Sequence, residues 1–96
     1  MKNIIRAYSS GVHFGEIDEY KPEFGVVKLK NARRLWYWKV KDNKGISLSE
    51  VALYGLAEGC KVCSMLPEIT ISEVIEIIPC TDESIESIEG YKVYTP

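Results

Sequence analysis

Residues 31–38 read NARRLWYW and place two adjacent arginines beside both tryptophans of the chain. A guanidinium group binds phosphate oxygens through two parallel N–H groups, and an indole offers a flat surface on which a base stacks. Asparagine before the arginines favours a turn and adds a polar group. These residue types in this order predict a site for a nucleotide-type ligand. The predicted ligand-binding residues of this segment are Asn31, Arg33, Arg34, Trp36 and Trp38.

If residues 34–40 form a β-strand, side chains alternate between its two faces. One face then carries Arg34, Trp36 and Trp38, which we expect to point outward. The other carries Arg33, Leu35 and Tyr37, of which Leu35 and Tyr37 are expected to point inward. The pattern leaves a second interpretation open, in which one tryptophan anchors the core and Arg34 covers its edge through a cation–π contact.

A second segment, residues 9–15, reads SSGVHFG. Its hydroxyl groups and glycines permit close approach of the backbone to an anion, and His13 can supply a further hydrogen-bond donor. Ser-Ser-Gly is also an ordinary hairpin turn, which requires no ligand. In combination with the arginines, we add Ser10 and His13 to the predicted ligand-binding residues.

Few residues of this chain suit catalysis. It has one histidine and lacks GxSxG, P-loop and HExxH motifs. Cys60 and Cys63 have the spacing of a zinc-binding pair, but the remaining ligand candidates, Cys80 and His13, are scattered singly. We predict no enzymatic activity, no catalytic residue, no cofactor and no metal site, with reduced cysteines, although metal binding by the cysteines stays an open alternative.

The charge distribution restricts the class of partner. Twelve Lys and Arg stand against fourteen Asp and Glu, and the acidic residues concentrate between Glu68 and Glu89, where no Lys or Arg occurs. A local anion-binding face fits this better than non-specific binding to nucleic acid, which requires a strongly basic domain. No apolar run is long enough to span a membrane, and charge interrupts the first residues too soon for a signal peptide. We expect a cytoplasmic protein with neither membrane nor nucleic-acid partners.

The elements that must position these residues are short. We predict strands over residues 2–8, 12–17, 25–30, 35–40, 60–66 and 74–78, with turns at 9–11 and 19–23. Pro67 and Pro79 are expected to end strands. Residues 70–78 also fit a helical stripe, but their Ile and Val content favours a strand. Ser47 with Glu50 predicts one helix, ended by Gly55 or Gly59, and Thr81 to Gly90 predicts another. Residues 1–96 therefore form a single α+β domain: a small, mostly antiparallel β-sheet or barrel-like fold with one or two short helices.

The order of YSSGVHFG, NARRLWYW, LSEVALYGL and EVIEIIPCTDE resembles a family of small phage and prophage proteins that carry a domain of unknown function. The resemblance runs from about Ile4 to Glu83 and is most distinctive at NARRLWYW. It implies a phage-encoded accessory protein in the host cytoplasm. Compact phage proteins of this size include sponges that bind cyclic-nucleotide or ADP-ribose-type immune signals without catalysis. By analogy, we expect a homo-oligomer that sequesters such a nucleotide-type molecule.

Two other functions compete with sequestration. The Arg and Trp face would also suit a protein-binding inhibitor or assembly module that contacts a host protein, because interfaces favour these residues. A small barrel that stacks single-stranded nucleic acid on its aromatics is the third possibility, and the near-neutral charge argues against it.

Overall fold

The computed structural model describes residues 2–96, and in this part of the chain six strands form one antiparallel sheet packed with two α-helices. The strands are β1 (Lys2–Ala7), β2 (Gly11–Lys21), β3 (Val26–Tyr37), β4 (Lys61–Val62), β5 (Leu66–Ile71) and β6 (Val74–Pro79). The helices are α1 (Leu48–Tyr54) and α2 (Asp82–Glu89), with 3-10 turns at Pro22–Phe24 and Lys41–Asn43. The predicted α+β class is confirmed, and the sheet does not close into a barrel.

Strand β3 is the centre of the sheet. On one side it pairs with β2, followed by β1 and β6. On its other side the first half of β3 pairs with β5, from Val27↔Ile71 to Ala32↔Leu66, and the second half pairs with β4 at Leu35↔Val62. Every segment that flanks the predicted site is therefore held in place through β3.

Both faces of the sheet are buried, so neighbouring residues of one strand enter different cores. Ile4 packs with residues of α1 and α2, and we call this cluster the helix-side core. Ile5, the next residue, belongs to a cluster whose members come from the strands β1, β2, β3, β5 and β6, and we call this cluster the sheet-only core. Neither isoleucine is exposed to solvent. Burial on both faces explains why simple alternation of polar and apolar residues is weak in β1 and β2.

Ser72 and Glu73 connect β5 to β6, although β6 pairs with β1 at one edge of the sheet and β5 pairs with β3 at the other. So short a connection requires the sheet to curl until its two edges approach each other. Hydrogen bonds hold the approach: the Val74 amide donates to the Gly25 carbonyl at 3.0 Å, and the Tyr8 amide donates to the Glu73 carbonyl at 2.9 Å. The curl buries the sheet-only core without any helix.

Several predicted boundaries are wrong. The strands predicted at residues 25–30 and 35–40 are one strand, β3, which continues through Asn31 and ends at Tyr37. Asn31 has a positive φ of 51°, a conformation that asparagine tolerates, so a turn-favouring residue serves here as an irregularity within a strand. The turn predicted at residues 19–23 lies at Pro22–Phe24, because β2 extends to Lys21.

The strand predicted at residues 60–66 is instead divided between β4 and β5, and Pro67 lies inside β5 rather than after a strand. Since β5 pairs with β3 on one side only, Pro67 occurs on an edge strand, where a missing N–H group costs no ladder hydrogen bond. The predicted strand at residues 74–78 is confirmed as β6, and the helical alternative for this segment is wrong.

The two helices begin where their capping residues predict. Glu50 accepts hydrogen bonds from the amides of Ser47 at 2.9 Å and Ile46 at 2.8 Å, and Gly55 ends α1. The Thr81 hydroxyl accepts from the Ser84 amide at 3.2 Å at the start of α2. No helix within residues 2–96 is long and apolar enough to span a membrane.

Candidate functional site

The register between β2 and β3 assigns the two adjacent arginines to opposite faces of the sheet. Arg34 pairs with His13, and Arg33 pairs with Phe14. Continuing across β1 and β6, each pair becomes a row of four side chains. The Arg34 row consists of Arg34, His13, Ile5 and Ile77. The Arg33 row consists of Arg33, Phe14, Ile4 and Ile78. The first row adjoins the sheet-only core and the second adjoins the helix-side core.

Arg33 is buried, with 3% of its surface exposed. Its Nη1 donates to the carbonyls of Ile88 at 2.8 Å and Tyr91 at 2.6 Å, and its Nε donates to the carbonyl of Cys63 at 2.8 Å. Ile88 lies in the last turn of α2, where a cation stabilises the free carbonyls and the negative end of the helix dipole. Burial lowers the pKa of the guanidinium, which nevertheless stays charged at neutral pH.

This position changes the interpretation of Arg33. The sequence predicts that Arg33 binds phosphate together with Arg34, but its side chain fastens the end of α2 to β3 inside the protein. A ligand on the surface has no access to it. Leu35 on the same face is buried as predicted.

Arg34 is exposed and lacks a counter-ion among residues 2–96. Its Nε donates to Nε2 of His13 at 3.1 Å. In the described part of the chain neither Nη group makes a hydrogen bond or an ion pair. One edge of the guanidinium is therefore fixed, while its two terminal N–H₂ groups are available to an anion.

His13 is 1% exposed, and burial together with the charge of Arg34 lowers its pKa to about 4. The imidazole is neutral at pH 7 and accepts through Nε2, so the hydrogen-bond pattern assigns its proton to Nδ1. Nδ1 is buried and has no hydrogen-bond partner within residues 2–96. His13 thus positions Arg34 without neutralising its charge.

Arg34 separates two hollows in the surface. The first, of about 330 Å³, we call the aromatic hollow. It is lined by Ser9, Ser10, Gly11, Val12, Arg34, Leu35, Trp36 and Trp38. The second, of about 370 Å³, we call the thiol hollow. It is lined by His13, Arg34, Cys63, Ser64 and Leu66. Each volume lies at the lower end of the range for small-molecule sites.

The turn between β1 and β2 forms one wall of the aromatic hollow. The Ser10 hydroxyl is buried there without a hydrogen-bond partner in residues 2–96. The turn itself is anchored, because the Ser9 hydroxyl donates to Oε1 of Glu73 at 2.7 Å and the Tyr8 amide donates to the Glu73 carbonyl. A fixed, unsatisfied hydroxyl beside a free guanidinium makes the hollow suitable for an anion.

The two tryptophans occupy different environments. Trp36 is 69% exposed, as predicted, but Trp38 is half-buried against the helix-side core. Tyr37, predicted to point inward, is 46% exposed. The pairing of β3 with β4 shifts register between Leu35 and Tyr37, and β3 ends at Tyr37, so the two-residue alternation does not extend further. The alternative in which one tryptophan packs on the core therefore describes Trp38, but within residues 2–96 Arg34 makes no cation–π contact with it.

Four of the seven sequence-predicted residues line the aromatic hollow, and a fifth positions one of those four. They are Ser10, Arg34, Trp36 and Trp38, with His13 holding Arg34 from the thiol hollow. Asn31 is exposed but lines neither hollow. Sequence reasoning missed Cys63, Ser64 and Leu66, which reach Arg34 because the Cys63 amide donates to the Arg34 carbonyl at 2.9 Å. Only the pairing of β4 with β3 could have revealed them.

The cysteines are spread over different environments. Cys60 is buried, Cys80 is half-buried and Cys63 is exposed. Burial raises the pKa of the Cys80 thiol. Within residues 2–96, no three side chains of His, Cys, Asp or Glu come together in a group able to hold a metal ion.

Residues 1–88 match the family described as a domain of unknown function, DUF6948. The chain belongs to this family. The DUF6948 match extends from β1 almost to the end of α2, so both hollows and the two arginines lie within it. Comparison with curated proteins and with solved structures gave no match.

Proposed function

We propose that this DUF6948 protein binds and sequesters a nucleotide-type ligand in the aromatic hollow, without chemical conversion. The observation that carries the proposal is the state of Arg34. It is an exposed guanidinium without a counter-ion in residues 2–96, held through Nε by a neutral imidazole, with both Nη groups free beside the hollow.

Phosphate recognition is the first part of the proposal. The two Nη groups of Arg34 can donate in parallel to phosphate oxygens, and Ser10, whose hydroxyl has no hydrogen-bond partner within residues 2–96, lines the same hollow. The Nε–His13 bond restricts the rotamers of Arg34 before any ligand arrives, which reduces the entropic cost of binding.

Base stacking is the second part. Trp36 presents most of its indole to solvent at the edge of the hollow, while Trp38 forms part of the wall and is held by the core. Stacking on an aromatic side chain contributes about 1–3 kcal/mol per base. An exposed Trp36 beside a free Arg34 supports a ligand that combines a base with a phosphate.

Binding without catalysis agrees with the state of His13. The imidazole has a pKa of about 4 and its Nε2 accepts from Arg34, so it has neither the pKa nor the free nitrogen expected of a general base at neutral pH. Sequestration requires no such group.

The proposed setting is a phage accessory protein that acts in the host cytoplasm and silences a defence signal, as the family resemblance implies. A homo-oligomer would suit this role, because a hollow of about 330 Å³ cannot alone enclose a ligand with more than one base. Two subunits that face each other across their aromatic hollows would enclose more of the ligand.

Calorimetry and thermal shift test the proposal with cyclic mononucleotides, cyclic di- and trinucleotides and cyclic ADP-ribose isomers. We expect at least one of them to raise Tm, since a ligand at 100 times its Kd stabilises the fold by about 2.7 kcal/mol. Arg34→Ala should abolish the shift, and Lys21→Ala, which removes an exposed cation outside both hollows, should retain it. If no compound in the panel raises Tm or quenches tryptophan fluorescence, the proposal is wrong.

One observation favours the second candidate, a protein-binding module. Trp36 at 69% exposure and Tyr8 at 79% are large aromatics open to solvent, and such residues dominate protein interfaces. This function predicts that Trp36→Ala and Arg34→Ala each abolish binding to a purified host protein while the nucleotide panel has no effect.

A further inference from the structure

Resting on the proposed function, we infer that the ligand presents a single phosphodiester to Arg34, with one substituent in each hollow. Ligands of this class carry one negative charge on the phosphate that contacts Arg34. They have two ester substituents on that phosphate, as a dinucleoside monophosphate does. Two independent features support the inference: the number of charges around the hollows and the position of Arg34 between them.

The charge around the site matches one negative charge. Arg34 is the one Lys or Arg among the residues that line either hollow. The Glu73 carboxylate accepts a hydrogen bond from the hydroxyl of Ser9, which is a lining residue of the aromatic hollow. A ligand with two negative charges at this position would leave one of them unpaired and close to Glu73, which is unfavourable.

Neighbouring cations do not alter this count. Arg33 directs its donors to three carbonyls on the other face of the sheet, and Arg6 pairs with Glu76 at 3.1 Å. His13 stays neutral at pH 7 because its pKa is about 4. The site therefore offers one accessible positive charge, which suits a phosphodiester better than a phosphomonoester or a polyphosphate.

The position of Arg34 supplies the second argument. Its side chain borders both hollows, and the two hollows share no other lining residue. A phosphate bound by the Nη groups therefore has a hollow on each side. A phosphodiester has two ester substituents and can direct one into each, whereas a phosphomonoester has only one and would leave a hollow unused.

The hollows also differ in the substituent that they suit. The aromatic hollow provides Trp36 and Trp38 for stacking together with the hydroxyl of Ser10. The thiol hollow is lined by Leu66, Cys63 and Ser64 beside the imidazole of His13. It suits a second, flat and weakly polar group, such as another base held mainly by apolar contact.

The experiment compares three probes by calorimetry at pH 7, each in an adenine and a guanine series. The dinucleoside monophosphate has one charge and two nucleosides, the 3′,5′-cyclic mononucleotide has one charge and one nucleoside, and the 5′-mononucleotide has two charges and one nucleoside. We expect the dinucleoside monophosphate to bind at least about tenfold more tightly than the cyclic mononucleotide, and the 5′-mononucleotide to bind most weakly.

A variant of the thiol hollow tests whether the second substituent of the ligand binds there, without a change of charge at the site. Ser64→Trp, at an exposed position, fills the thiol hollow and should reduce the affinity of the dinucleoside monophosphate to that of the cyclic mononucleotide, whose own affinity stays unchanged. If the 5′-mononucleotide binds as tightly as the dinucleoside monophosphate or more tightly, the inference is overturned and the proposed function stays intact. The same holds if the Ser64→Trp protein binds all three probes like the wild type. Absence of binding by every probe, together with no response to the wider panel, overturns both.

Discussion

The Arg33 row and the Arg34 row cross the same four strands one residue apart, yet their arginines have different surroundings. Both rows are fully buried in the middle, at Ile4 and Phe14 in one and at Ile5 and His13 in the other. In the Arg33 row, the guanidinium of Arg33 donates to three backbone carbonyls, two of them at the end of α2 or just beyond it. In the Arg34 row, the guanidinium of Arg34 donates to the neutral imidazole of His13 and is otherwise exposed to solvent.

What surrounds each arginine therefore decides its role, because the residue type is the same. The end of α2 provides carbonyl acceptors and a negative dipole that engage Nη1 of Arg33 inside the protein. No helix covers the other face at this point, so Arg34 retains its free donors. The difference separates a stabilising arginine from one available for binding.

Replacement of the arginines should give the largest contrast. Arg33→Ala leaves buried carbonyls of α2 and of Cys63 without a donor and should reduce the free energy of unfolding by about 3 kcal/mol. Arg34→Ala removes an exposed side chain and should change it by less than about 1 kcal/mol. Urea denaturation of both variants measures the difference. Equal losses would contradict the division of roles.

Protonation of His13 should be the next largest effect. Its pKa is about 4 in the folded protein, below the usual value of 6.5, so the unfolded chain binds this proton first as the pH falls. The contribution to stability is complete above pH 6.5 and is lost progressively down to pH 4, by about 3 kcal/mol in total. Tm measured between pH 7 and pH 4 should fall less in His13→Gln than in the wild type. Parallel curves would show that His13 does not titrate in this way.

Replacement of the two tryptophans should also reduce stability by unequal amounts, with a smaller difference than for the arginines. Trp38→Ala removes a ring packed on the helix-side core and should cost about 2 kcal/mol of stability, whereas Trp36→Ala should cost less than about 0.5 kcal/mol. The same urea titrations test both. A Trp36→Ala protein as unstable as Trp38→Ala would mean that the exposed indole is part of the fold.

The smallest expected effect concerns the turn that holds Ser10. Glu73→Gln weakens the acceptor of the Ser9 hydroxyl and should lower stability by about 0.5–1 kcal/mol. The backbone bond from Tyr8 is retained, so the fold should persist. Thermal melts measure the change, and Glu68→Gln, at an exposed carboxylate whose ion pair within residues 2–96 is with Lys28 at 3.5 Å, is the control. Loss of cooperative unfolding in Glu73→Gln would assign the link a larger role than its hydrogen bonds indicate.

The sequence predicts the parts of this fold that depend on local chemistry. Ser47 with Glu50 and Thr81 with Gly90 identify both helices, because caps act within one turn. It also predicts the exposure of Arg34 and Trp36 from strand alternation. It does not predict that α2 ends over Arg33, since that contact joins residues 55 positions apart. Nor does it predict the position of Trp38, which depends on the register shift between β3 and β4.

The link between β5 and β6 has a consequence for how the protein reaches its native state. The turn that forms the wall of the aromatic hollow is anchored to Glu73, and Ser9 and Glu73 are 64 residues apart in sequence. Contacts between segments so distant pay a large loop-closure entropy and form slowly, after the local hairpin of β1 and β2. The hollow should therefore be completed late in folding, and the exchange protection of the Tyr8 amide should appear after that of the hairpin itself.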